Sequence, residues 1–206
     1  AEEQREKRAR ISALLKARDL DAVVLRKGAN VAWITGGRAH IPTTLELSCM
    51  DVIVYQDRIV VVTNKIEAPR LKEEELTGDE EVLIVNWFEG RDALLPKGSK
   101  IGTDGADAER INLTKEIEEL RRNLNEYEVS RLKEIGRDAT AALEEAMLDI
   151  DSEMSEVEVA GEIAEELWER NLEPVVLLVA GKERMNKFRH PLPTQIEVGD
   201  MAMGVI

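Results

Sequence analysis

The sequence predicts an α/β domain followed by the first elements of an α+β domain. Two observations carry that expectation. Up to Asp104, short apolar runs rich in Val and Ile alternate with segments whose apolar residues recur every three or four positions. From Ile111 the pattern changes to two long helical stretches followed by isolated apolar strands. Composition agrees with a packed protein: 43% of the 206 residues are apolar and 34% are charged.

Glu2 to Arg18 carries Ile11, Leu14 and Leu15 at helical spacing among charged residues and reads as an amphipathic helix. Ala22 to Leu25 is a short buried strand, and Asn30 to Ile34 a helical turn stopped by Gly36 and Gly37. Met50 to Tyr55 and Ile59 to Thr63 are β-branched runs joined by Gln56-Asp57-Arg58, a hairpin. Glu67 to Leu76 is helical, Val82 to Val85 and Lys100 to Thr103 are strands, and Asp104-Gly105 is a turn.

Ile111 to Arg122 is expected to be a connecting helix, which places the boundary near Asn123 and gives domains 1–123 and 124–206. Beyond it, Val129, Leu132, Ile135, Ala139, Leu143 and Met147 mark one face of a helix over Tyr127 to Leu148. Ser155 followed by Glu158 is a capping box opening a second helix to about Arg170. Val175 to Ala180 and Met201 to Ile206 read as strands around a polar loop. Two helices and two strands do not close a core, so the second domain is expected to be incomplete.

Charge and composition exclude several functions. A net charge of −14 with no basic block repels a phosphate backbone and argues against nucleic acid as a partner. No apolar run approaches the roughly 20 residues of a membrane span. The N-terminal AEEQREKRAR lacks a hydrophobic signal region, and Cys49 has no second cysteine to pair with. A cytoplasmic location is the expectation. Gly36-Gly37 and Gly102 to Gly105 lack phosphate-loop spacing, and Ser48, Ser130 and Ser155 lack the setting of a nucleophile. Trp33, Trp87 and Trp168 lie in apolar contexts and are read as core or interface residues.

Of the two histidines, His190 is the better candidate for chemistry. It sits in a loop between apolar strands, beside Arg189, with Pro191 and Pro193 restricting the backbone. An imidazole, with an unperturbed pKa of about 6.5, can take a proton from attacking water and return it to a leaving nitrogen. Arg189 could bind a substrate carboxylate or simply face water.

VAWITGGRAH, VVTNKIEAPRLKEEEL and KIGTDG in the first domain resemble the creatinase/prolidase/aminopeptidase P family. So do NEYEVSRLKEIGRDATAALEEAM, SEVEVAGEIAEELWERN and LLVAGKERMNKFRHPLPTQIEVGD in the second. The segments occur in family order along nearly the whole chain. The resemblance implies a creatinase-type N-terminal domain, a mixed sheet flanked by helices, followed by the first part of an α+β pita-bread catalytic domain. It implies a hydrolase of a C–N bond acting on a small molecule or short peptide as a homodimer. His190 falls at the family's substrate-pocket histidine, which in a metal-free member is the proton-transfer residue. Arg189, and Arg38 and His40 of GGRAHIP, are then substrate-binding candidates, against the plainer reading of exposed loop residues.

The family's metallopeptidases hold two metal ions through carboxylates and a histidine. Counting four positions from Asp200 of the Gly-Asp turn places the first carboxylate at Gly204, which has no side chain to coordinate metal. No cofactor is therefore expected in these residues, and a divalent metal only if ligands after residue 206 suffice. Metal-independent chemistry is favoured. The alternatives are a Xaa-Pro dipeptidase or aminopeptidase with an altered metal site, and a non-catalytic relative that binds a partner.

Overall fold

The computed structural model describes residues 2–206, which fall into two compact units, Ala1–Asn125 and Glu126–Ile206. The first is built on a mixed six-stranded sheet in the order β4-β3-β2-β1-β5-β6. Helix α1 (Glu2–Ala17) leads into β1 (Ala22–Lys27), α2 (Gly28–Thr35) and the antiparallel pair β2 (Leu47–Tyr55) and β3 (Ile59–Asn64). Then follow α3 (Ala68–Arg70), which runs on as a π-helical turn over Leu71–Glu75, and β4 (Glu81–Val85). The chain returns through a 3₁₀ turn at Arg91–Leu94 to β5 (Ile101–Thr103), β6 (Ile111–Asn112) and α4 (Thr114–Arg122).

Strand alternation sorts the core into two layers. Val23, Leu25, Met50, Val52, Val54, Ile59 and Val61 pack with Ile11 and Leu15 of α1, Val31 and Ile34 of α2, and Ile117 of α4. Ala22, Val24, Ile53, Val60, Val62 and Ile101 face the other way, against Leu95. Asp51 and Arg26 share that second face, where the fully buried Asp51 carboxylate accepts from Arg26 Nε at 3.1 Å and Arg91 Nε at 2.8 Å. Burial pushes the Asp51 carboxyl up from its ordinary value, and Arg91 and Arg26 offset only part of that.

The second unit has two helices, α5 (Glu126–Leu148) and α6 (Glu156–Glu169), against an antiparallel ribbon of β7 (Leu178–Gly181) and β8 (Ala202–Val205). A four-residue helical turn, α7 (Lys182–Met185), follows β7. The Ser155/Glu158 capping box is present, with Ser155 Oγ accepting from the Glu158 amide at 3.2 Å. Ala142, Ala146, Val159, Ile163, Leu167, Val179 and Val198 form this unit's core.

Several sequence expectations need correction. Ile111 and Asn112 form a strand, because they pair with Gly102 and Thr103, and the connecting helix begins only at Thr114. The β7 strand starts at Leu178 rather than Val175; Val175 and Val176 are exposed and lie outside the β7–β8 pairing. The apolar stripe of α5 is buried only toward its C-terminal half, and Val129, Leu132 and Ile135 remain solvent-facing. Trp33 lies in the core, whereas Trp87 and Trp168 are exposed. Asp104, read as part of a turn, is 1% exposed and accepts from the amides of Arg26 and Lys27 and from Asn30 Nδ2 at 2.8 Å.

Candidate active site

His190 and Arg189 lie in the segment that returns from α7 to β8, and both are exposed. That segment is held at both ends. At its start, the Lys187 and Phe188 amides donate to the Arg184 carbonyl at 3.0 and 2.9 Å, and the Arg184 guanidinium lies 5.6 Å from the Phe188 ring centre. At its end, residues 194–199 run beside the turn that enters α6. The Glu156 amide donates to the Ile196 carbonyl at 2.9 Å, Val157 to Thr194 at 3.1 Å, and Val198 to Met154 at 2.9 Å. The first two of these bonds satisfy opening amides of α6, which have no partner inside the helix.

The side chain that joins these pieces is Glu156, and sequence reasoning missed it. It is fully buried, yet every neighbour of its carboxylate is a donor. The Gly181 amide donates at 3.0 Å, the Thr194 amide at 3.0 Å, the Thr194 hydroxyl at 2.7 Å, and Arg184 Nη1 closes an ion pair. Arg184 Nη2 also donates to the Leu192 carbonyl at 3.1 Å. Burial works to raise the Glu156 pKa, but the bonds from Thr194 and Gly181 and the Arg184 charge hold it below the ordinary 4.5. Gly181 permits the close packing, since a Cβ there would meet the Val198 carbonyl oxygen at 2.6 Å. The only signal in the sequence was the position of Glu156 directly after the capping Ser155.

A cleft of about 560 Å³ opens beside this network, lined by Glu156, Lys182, Arg184, Gln195 and Asp200 among others. His190 is not among the lining residues.

Arg38 and His40 belong to the first unit. Gly36 ends α2 in the left-handed region, with φ 81°, and its amide donates to the Ala32 carbonyl. The next residues are clamped by Glu75 of the π-helical turn. Its carboxylate accepts from the Arg38 amide at 2.7 Å, from Arg38 Nε at 3.0 Å and from Arg70 Nη1 at 3.0 Å. Arg38 keeps 75% of its side chain exposed, and His40 is half-buried. Arg189 and His190 thus belong to the second unit, and Arg38 and His40 to the first.

Gly204 does not face open space. A Cβ at this position would run into Met147 Cε and lie 3.0 Å from Ile163 Cδ1 and 3.3 Å from Leu143 Cδ1, inside the layer between β8 and the helices. The position that counting assigns to the first carboxylate thus faces the helix layer. By alternation Met203 and Val205 occupy the other face, so β8 carries no carboxylate on either side. Among the described residues no group of three or more His, Cys, Asp and Glu is placed to hold a metal ion. Likewise, among them no helix is long and apolar enough to cross a membrane.

Among solved structures, the chain is similar to a Xaa-Pro dipeptidase from Bacillus anthracis, with 16% identity and a TM-score of 0.69 over 98% of this chain. It is similar also to a prolidase from Pyrococcus horikoshii, with 16% identity and a TM-score of 0.73 over 97% of this chain. An X-Pro aminopeptidase from Thermotoga maritima aligns over 96% with a TM-score of 0.74 and 16% identity. In each case this chain spans 59% of the other's length, so the likeness establishes the fold of the corresponding part. A search of curated protein sequences found no match. The creatinase/prolidase N-terminal domain family matches residues 7–139, well over half of the 206, and the chain belongs to that family.

Proposed function

We propose that the protein hydrolyses a C–N bond of a small amide or short peptide without a bound metal, with His190 as general acid and base. The observation that carries this reading is the setting of His190: an exposed imidazole on a loop anchored at both ends by hydrogen bonds to Arg184 and the buried Glu156. The imidazole takes a proton as water adds to the electrophilic carbon, and returns it to the nitrogen as the C–N bond breaks. An amine leaves poorly as an anion, so the returned proton is essential. Arg189, adjacent in sequence, is suited to a substrate carboxylate through paired N–H donors. In the first unit Arg38, whose orientation Glu75 fixes, and His40 are further substrate-binding candidates. A homodimer is the proposed assembly.

That neither face of β8 carries a carboxylate supports the metal-independent form of the reaction. A second reading, a metal-dependent Xaa-Pro peptidase, draws support from the similarity to a Xaa-Pro dipeptidase and an X-Pro aminopeptidase. The two separate in one assay. Purified protein is offered proline dipeptides and creatine-like amides, with and without a strong chelator. Turnover that survives the chelator supports the proposal. Turnover that requires added manganese, cobalt or zinc supports the second reading, and no turnover on either class removes both.

A further inference from the structure

We propose that Glu156 is a positioning residue for His190, acting through Thr194 and Arg184. The inference rests on the reading of His190 as the proton-transfer group, but its own basis is the geometry around Glu156. The carboxylate sits on the first turn of α6 and is completely buried. From there it binds the end of β7 through Gly181, the turn before the loop through Arg184, and the far limb of the loop through Thr194. His190 lies between the last two anchors, with Pro191 buried beside it.

The site requires an acceptor-only group. All four contacts reach the carboxylate with N–H or O–H donors, and an ionised carboxylate is the one common side chain that accepts at every position. Gln at 156 would turn an amide N–H₂ toward one of those donors and leave the Arg184 charge without its partner. A buried carboxylate with four donors is more than the helix needs, because the Ser155/Glu158 box already caps α6. What Glu156 adds is a rigid link between the helix and the loop. Arg184 extends the link by holding the Leu192 carbonyl, two residues past His190.

The test compares Glu156→Gln, Thr194→Val and Thr194→Ser with the unaltered protein. Thr194→Val removes the hydroxyl's bond to Glu156, along with the longer one it accepts from the Ile196 amide at 3.3 Å, and keeps the fold if Glu156→Gln does not. Hydrogen exchange of residues 187–197 should quicken by about 10–100-fold in the first two variants, the scale of losing a charge-assisted hydrogen bond. Amides of α6 near Ile163 should not change, and Thr194→Ser should restore slow exchange. In turnover assays kcat should fall in Glu156→Gln and Thr194→Val by a larger factor than KM changes, with Thr194→Ser recovering it.

Unchanged exchange in the loop would overturn the proposal, as would a loosened loop with full kcat. If the unaltered protein turns over no substrate, the reading of His190 fails by itself, and the exchange comparison still decides whether Glu156 holds the loop.

Discussion

The Glu156 carboxylate accepts the Thr194 hydroxyl at 2.7 Å, tying the first turn of α6 to a loop residue 38 positions further along the chain. This one contact joins a buried charge to an exposed segment, and its consequences differ with pH. Burial opposes ionisation of Glu156, but its hydrogen bonds and Arg184 keep its folded-state pKa below 4.5. Between that depressed value and the unfolded one, the unfolded chain binds more protons. The stabilisation is therefore complete above about pH 4.5 and is lost as pH falls through the folded pKa. We expect the stability gap between the unaltered protein and Glu156→Gln, measured by urea denaturation, to be largest near pH 7 and to shrink below pH 4.5. A gap that widens in acid would contradict this.

Asp104 is the corresponding anchor in the first unit. Its carboxylate serves the Arg26 and Lys27 amides ahead of α2 and the Asn30 side chain, which in turn accepts from Arg121 of α4 at 2.9 Å. Asp104→Ala strands one buried and two partly buried donors and should cost about 3 kcal/mol. For a protein of this size that corresponds to a fall in melting temperature of roughly 6–12 °C. Differential scanning calorimetry of the variant measures it, and a shift under about 2 °C would show the network to be dispensable.

These two carboxylates show what the sequence could and could not convey. The hairpin of β2 and β3, the Gly36 stop and the Ser155/Glu158 box depend on neighbours within a few residues, so local pattern identified them. Asp104 and Glu156 owe their meaning to partners 74 and 38 residues away, and nothing nearby distinguishes either from an ordinary surface acid. The surroundings of Gly204 were hidden for a related reason. Counting along a strand gives position but not face, and a shift of one residue turns a side chain from the open surface into the helix layer. His190 was legible as a loop histidine between strands; its anchoring was not.

The two faces of β8 can be tested by two aspartates. Gly204→Asp would bury a charge against Met147, Ile163 and Leu143, at a cost of about 3 kcal/mol or more. Val205→Asp, on the partly exposed face, should change stability by about 1 kcal/mol or less. Equal costs from the two, read by chemical denaturation, would contradict the assignment of faces.

Cys49 gives a probe of the first unit. Its thiol is half-buried, and burial, assisted by the nearby Glu67 charge, raises its pKa above the ordinary 9.0 against the opposing pull of Arg70 and Arg91. With little thiolate present at pH 7.5, modification by a small alkylating reagent should be slow in the folded protein and fast in denaturant. Rapid labelling of the native protein would show that this part of β2 opens readily.

The central claim is that His190 carries the proton transfer, and the direct measurement is the turnover of His190→Ala beside His40→Ala. Both should be assayed without added metal, on proline dipeptides and on creatine-like amides. The account predicts a fall of about 10²–10⁴-fold in kcat for His190→Ala, with a much smaller change in KM and an almost unchanged melting temperature. The limb of the pH–rate profile that requires the base should disappear with it, and His40→Ala should retain most of the rate. Small and equal effects from the two substitutions would contradict the account and leave His190 an exposed loop residue.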